Sequence, residues 1–197
     1  MAASIQIPEL AVALALAWGA GIRLYAVLFL LGISGRMGWM ALPQDLAILA
    51  HPLVLGASGF MLLAEFFADK LPWIDSLWDA VHTFVRIPAG AALAAIMFSD
   101  AGSAYPVAAA ILGGTVAAAT HFAKAGARGL INLSPEPVSN WAASFAEDAA
   151  VPAGLWLAIF HPWAFLALLA AGAVMALLLI GWILRGVSAV FRKYRLP

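Results

Sequence analysis

EFFADKLPWIDSLWDAVHTFVRIPAG, Glu65 to Gly90, places seven ionisable residues in a chain that is otherwise mostly hydrocarbon. On a helix, Asp75, Asp79, His82 and Arg86 stand at i, i+4, i+7 and i+11, which at about 100° per residue puts all four in one narrow stripe. Upstream, Glu65 and Asp69 are also four apart and share a face. The purely apolar run that follows, Ile87 to Phe98, has only 12 residues. Crossing the hydrocarbon core takes about 20 residues of helix. The stretch therefore either lies at a surface as a solvated, tryptophan-anchored helix or is drawn toward the membrane with its charges, as one wall of a polar cavity.

Composition sets the surroundings. Of 197 residues, 65% are hydrophobic and only 10% charged, against about 25% charged in soluble domains. With a mean hydropathy of +0.99, the expected class is an all-α polytopic integral membrane protein, one transmembrane domain over residues 1–197. The formal net charge is zero, so no basic field recruits nucleic acid. Cysteine is absent, which excludes disulfides, thiolate catalysis, cysteine-ligated zinc and iron–sulfur clusters. No Lys or Arg precedes the first apolar run and Glu9 lies at its start; a cleaved signal peptide has a basic leader, so this segment is expected to stay.

About six spans are expected: Pro8 to Ser34, interrupted by Arg23; Ile48 to Ala68; a third that must add charged residues to Ile87–Phe98; Pro106 to Arg128; a fifth that starts near Val138; and Pro162 to Leu184. Ala110, Gly114 and Ala118 suggest a close-packing stripe in the fourth. With both termini cytoplasmic, Lys70, Arg86, Lys124, Arg128 and the tail cations Arg185, Arg192, Lys193 and Arg195 lie inside and Arg36 alone outside, the arrangement that the positive-inside rule favours. A weak internal repeat pairs residues 52–99 with 106–160: Trp78 precedes Pro88-Ala89-Gly90 and Trp141 precedes Pro152-Ala153-Gly154. A proline within a helix removes a hydrogen bond, so the two Pro-Ala-Gly sites are expected to be breaks, or else simple span starts.

Arg23, mid-span, needs a partner, and Glu147 or Asp148 lies at comparable depth in the fifth span. His121, Lys124 and Arg128 share a second polar face, followed by a turn-rich linker with Asn132, Ser134, Glu136 and Asn140; Ser139 or Asn140 is a natural helix cap. The basic face suits an anionic solute or the neutralisation of Glu65, Asp69 and Asp79. Asp75, Asp79 and His82 resemble a hard-cation ligand set, although Arg86 on the same face repels a cation; otherwise no cofactor is expected. Among standard catalytic motifs, GxSxG, HExxH, GxxxxGK[ST] and GxGxxG are missing.

The order of these pieces resembles the bacterial family catalogued as domain of unknown function 4126. The resemblance rests on Ala68-Asp69-Lys70, Asp75 with Trp78-Asp79, Lys124-Ala125-Gly126-Ala127-Arg128, Asn132, Ser134-Pro135-Glu136-Pro137 and Ser139-Asn140. It departs at Arg23-Leu24, where relatives carry a polar residue and proline before the tyrosine. The resemblance implies a small multi-pass membrane protein and no activity.

The expected function is therefore a transporter or channel-like protein of the bacterial inner membrane, with a cytoplasm-facing charged cavity. It would move a small ion or anionic solute, with the bilayer and a second copy of the chain as the expected partners. A non-catalytic assembly factor and a metal-dependent lipid-phosphate enzyme are the alternatives.

Overall fold

The computed structural model describes residues 6–133 and 137–194, and at positions 72, 137, 183 and 186–194 the backbone only. Ser134 and Glu136 lie outside the described residues, as do the side chains of the tail cations beyond Arg185. Six long helices follow in order: α1 (Ile7–Arg36), α2 (Pro52–Ala68), α3 (Pro72–Ile96), α4 (Ala104–Ile131), α5 (Pro137–Phe160) and α6 (Pro162–Tyr194). Short 3-10 segments, Gln44–Ala50 and Ser99–Ala101, precede α2 and α4. Four of the six helices, α2, α3, α5 and α6, open on a proline, whose preset φ and missing N–H suit a first turn that has no intrahelical acceptor to serve.

Four helices are long and apolar enough to cross a membrane, Ile7–Arg36, Ala104–Ile131, Val138–Phe160 and Pro162–Trp182. The Gln44–Ala50 segment and α2 make a fifth span if that pair, bent by 69°, counts as one. Pro52 causes the bend: it starts α2 afresh, with the His51 ring accepting the Leu53 N–H at 3.3 Å. By length and composition four or five of the six expected spans qualify: α2 by itself has only 17 residues, and the 25 residues of α3 include Asp75, Asp79, His82 and Arg86, which lower its hydropathy.

The centre of the bundle is α1, which packs on all five other helices. Its inward positions are mostly small: Ala11, Ala13, Ala15, Ala17, Gly19, Ala20, Gly21, Ala26 and Gly32 are buried. In lipid, where burial of apolar surface gives no advantage over contact with acyl chains, such residues let backbones approach. The buried stripe of α4 runs through Gly113 and Ala117, one position from the expected stripe, with Ala110, Gly114 and Ala118 half-buried on its flank.

The expected Pro-Ala-Gly breaks are not breaks, nor do these prolines start spans: Pro88 and Pro152 both lie inside continuous helices. Both are exposed, so each ring faces outward, and it is the glycine of each Pro-Ala-Gly that lies in a close helix contact. A Cβ on Gly90 would meet Ala117 of α4, and one on Gly154 would meet the Trp18 ring of α1. The chain breaks elsewhere. Within α1, Arg23 adopts φ −144° and ψ 83°, an extended conformation that divides the helix in two.

Gly21 stands beside this break, where a Cβ would run into Thr120 Oγ1 and the backbone at Ala117 and His121 of α4. Backbone cannot move aside as a flexible side chain can, so Gly21→Ala is expected to lower stability by about 1–3 kcal/mol, the range for overpacking. Gly56→Ala, which meets nothing within 4 Å, is the control. Thermal unfolding of both variants in detergent checks the difference.

Candidate functional site

Breaking a helix inside a bundle frees backbone groups that must be paired again. At the α1 break they are paired by α4. Lys124 donates from Nζ to the Ile22 carbonyl at 3.3 Å, and Thr120 donates from its hydroxyl to the Trp18 carbonyl at 3.2 Å. The extended backbone at Arg23 then carries its guanidinium into the space between the α2–α3 connection and α5. There Nη2 lies 2.8 Å from Asp69 Oδ2 and Nε lies 2.9 Å from Asp148 Oδ1, with Glu147 Oε2 at 3.7 Å. Nη2 also donates to the Ser144 hydroxyl at 3.1 Å. Arg23 is fully buried.

From Arg23 the ion pairs extend without interruption. Lys124 Nζ reaches Asp69 Oδ2 and Asp79 Oδ1, both at 3.3 Å, and Glu147 at 3.5 Å. Arg128 grips Glu147 with both arms of its fork, Nε to Oε1 at 2.9 Å and Nη2 to Oε2 at 3.1 Å. It also approaches Asp69 at 3.5 Å and Asp75 at 4.0 Å. Arg86 binds Asp79 Oδ1 at 2.5 Å and pairs with Glu65. Lys70, outside the helices in the α2–α3 connection, lies 4.0 Å from Asp148 and 3.0 Å from the Phe66 ring centroid. Burial there pushes its ammonium below its ordinary pKa.

Among the described residues the result is one connected network of five cations (Arg23, Lys70, Arg86, Lys124, Arg128) and six carboxylates (Glu65, Asp69, Asp75, Asp79, Glu147, Asp148). With both nearby histidines neutral it carries one surplus negative charge. The α3 stripe supplies four buried residues, Asp75, Asp79, His82 and Arg86, so it is an inward face and not the solvated surface of an interfacial helix. Taking charges out of water costs several kcal/mol per ion. A membrane protein that retains eleven of them in one cluster is built around that cluster.

Polar side chains close the network at its edges. His121 lies 2.6 Å from the Thr83 hydroxyl and 3.3 Å from Arg86 Nη1. His82 has both ring nitrogens occupied, Nδ1 with the Trp78 carbonyl at 2.8 Å and Nε2 with the Tyr25 hydroxyl at 3.1 Å, and it stacks on Trp78 at 4.2 Å. The carboxylates nearest to Asp75 and Asp79 are therefore not joined by the His82 imidazole; Asp69 joins them instead, the three offering oxygens within 4.8 Å of one another.

Asn132 donates to Asp75 Oδ2 at 3.1 Å, tying the α4–α5 connection to α3. Asn140 lies inside α5 and does not cap it: its amide donates to the Asp69 carbonyl at 3.2 Å, while its Oδ1 accepts from Arg128. The described candidate site residues, Arg23, Glu65, Asp69, Asp75, Asp79, His82, Arg86, His121, Lys124, Arg128, Asn132, Asn140, Glu147 and Asp148, thus lie in this network or at its edge.

Among the described residues, the pieces that carried the family resemblance bring Asp69, Lys70, Asp75, Asp79, Lys124, Arg128, Asn132 and Asn140 to this network. A model of the family described as Domain of unknown function (DUF4126) matches residues 10–184. The chain belongs to the DUF4126 family. No curated protein and no solved structure matches it.

In this DUF4126 protein two participants escaped sequence reasoning, Tyr25 and Thr83. Lys70 was legible from its place beside Asp69, and Ser144 from its position one turn before Glu147 and Asp148; Tyr25 and Thr83 had no signal beyond being polar in an apolar segment. A pocket of about 170 Å³ between α3 and α4, lined by Ser76, Asp79, Ala80, Thr83, His121, Phe122, Ala125 and Arg128, borders the network at Asp79 and Arg128. Larger clefts of about 390 Å³ lie on apolar walls, formed by side chains such as Leu16, Trp156 and Phe165. They contain no network residue and face where lipid would lie.

Proposed function

We propose that the chain is a small transporter or channel-like protein of the cytoplasmic membrane, both termini inside, in which the buried charge network is the coupling site. One observation carries the reading: α1 leaves helical geometry at a fully buried arginine, and that arginine joins carboxylates from two other parts of the chain. Discontinuous helices next to ionisable groups are how transporters place ion sites within the bilayer. The charge asymmetry of the connections supports the orientation. The surplus negative charge favours a small cation as the bound ion over the anionic solute that the basic face alone suggested.

The test is flux. Liposomes containing the purified protein are expected to pass at least one of proton, sodium, potassium, chloride or phosphate faster than protein-free liposomes. Lys124→Ala and Arg128→Ala, each deleting contacts to two or more carboxylates, should lower that flux about tenfold or more, since a hydrogen bond to a charged group is worth about 1.5–3 kcal/mol. Wild-type flux in both variants, at equal protein content, rejects the reading.

A second reading has its own observation: each of the five cations already lies within 4.0 Å of a carboxylate, the arrangement that a static clamp in an assembly factor would have. It predicts no flux for any of these ions and a loss of stability from each charge deletion.

A further inference from the structure

We propose that Asp69, Asp75 and Asp79 together hold one exchangeable proton, loaded through the α3–α4 pocket; this rests on the transport reading and names its coupling ion. Among the described residues, ion pairs crowd onto one oxygen of Asp69 and of Asp79 and leave the other without a hydrogen bond, and Asp75 too has one oxygen without a hydrogen bond. Asp69 Oδ2 takes Arg23, Lys124 and Arg128, whereas Oδ1 has no hydrogen-bond partner. Asp79 Oδ1 takes Arg86 and Lys124, whereas Oδ2 has none. Asp75 Oδ2 accepts from Asn132, and Oδ1 makes no hydrogen bond, its nearest cation being Arg128 at 4.0 Å. All three side chains are buried, and a buried carboxylate oxygen without a donor is costly.

The groups that face this trio come from every surrounding element: Arg23 from α1, Glu65 from α2, Arg86 from α3, His121, Lys124 and Arg128 from α4, and Glu147 from α5. Together with Lys70 and Asp148 they leave one negative charge unbalanced. Three carboxylates within 4.8 Å cannot all stay ionised in a dry interior when cations are one short. A metal ion would need further oxygen ligands and would meet arginine and lysine at contact distance. A proton needs neither a coordination shell nor room. It forms one O–H bond on a bare oxygen, can donate to a second, and returns to water by the same path.

That path starts at Asp79, which lines the α3–α4 pocket beside Thr83 and His121. The pocket is roomy enough for several waters, each occupying about 30 Å³. The proton therefore exchanges without any movement of α1.

Infrared spectroscopy of the reconstituted chain is the test, because a protonated carboxyl has a carbonyl band that an ionised one lacks. At pH 7, where exposed carboxylates are ionised, one such band is expected. It should shift when aspartate alone is carbon-13 labelled, a check that needs no substitution. Asp69→Asn, Asp75→Asn or Asp79→Asn should remove it, and Ala80→Leu, which narrows the pocket, should slow its exchange in heavy water while leaving it present.

Absence of the band at pH 7, its failure to shift on aspartate labelling, its persistence in all three asparagine variants, or its loss on adding sodium or magnesium ions would each overturn the proposal. An unchanged exchange rate in Ala80→Leu would overturn the route. The band is read without any gradient, so a proton found here while every flux measurement is blank would reject the transport reading and leave the proton site intact.

Discussion

Arg23→Gln is expected to destabilise the chain by about 3–5 kcal/mol, the cost of removing one partner from a buried ion pair. The loss is large because the guanidinium serves three carboxylates and the Ser144 hydroxyl from a fully buried position. Without it four cations would face six carboxylates, doubling the surplus negative charge. Arg23→Lys should recover only a part, since an ammonium lacks the planar fork that reaches Asp69 and Asp148 at once. Arg23→Gln combined with Asp148→Asn should recover more, since it restores the original charge balance. Thermal unfolding in detergent, followed by tryptophan fluorescence from the chain's eight tryptophans, measures all three. Wild-type stability in Arg23→Gln would mean that the guanidinium is hydrated and that the network is not closed.

A second loss of similar size is expected for Arg86→Met, again about 3–5 kcal/mol. Arg86 and Glu65 are both fully buried, and Asp79 is nearly so. The single change leaves Glu65 with no ion-pair partner within 4.0 Å, while Asp79 keeps Lys124 at 3.3 Å. Removing both ends of the pair differs in kind: apolar replacements of similar volume are often neutral or stabilising, so Glu65→Leu with Arg86→Met should regain most of the lost stability. Measured as a double-mutant cycle, the coupling should be strongly favourable; additive losses would contradict the pairing. The rescued variant also separates the two readings of function. If the pair belongs to a transport site, flux stays lost after stability returns. In an assembly factor, the restored fold restores the role.

Much of this site was legible because charge in a hydrocarbon-rich chain stands out. The spacing of Asp75, Asp79, His82 and Arg86 identified one buried helical face, and that of His121, Lys124 and Arg128 identified another; packing α3 on α4 brings the two together. Arg23 could be matched to Glu147 or Asp148 by depth alone, and of the two Asp148 lies nearer. Asp69 was less legible as the hub, since nothing in its local sequence says that one oxygen will collect three cations.

The breaks were misplaced for a physical reason. Proline removes one hydrogen bond, yet a ring on an outer face leaves the helix otherwise intact, as at Pro88 and Pro152. The real break needs no proline, because Lys124 and Thr120 pair the Ile22 and Trp18 carbonyls just ahead of it from a neighbouring helix. Such pairing is a tertiary fact, invisible in the local pattern of α1. Of the six expected spans, α3 is the one that length and composition alone do not pick out, because hydrocarbon and charge share one helix there and a count of apolar residues describes neither half.

The central claim is that the buried network opens to the cytoplasm. Because the chain has no cysteine, a single Ser144→Cys substitution reports on it without background. Ser144 is fully buried beside Arg23, whereas Leu133, exposed in the connection after α4, serves as the surface control through Leu133→Cys. In intact membranes a charged, impermeant thiol reagent should label Leu133→Cys quickly, and Ser144→Cys slowly, both from the cytoplasmic side only. Rapid labelling at Leu133→Cys with none at Ser144→Cys from either side would mean a permanently closed core, and the transport account would be wrong.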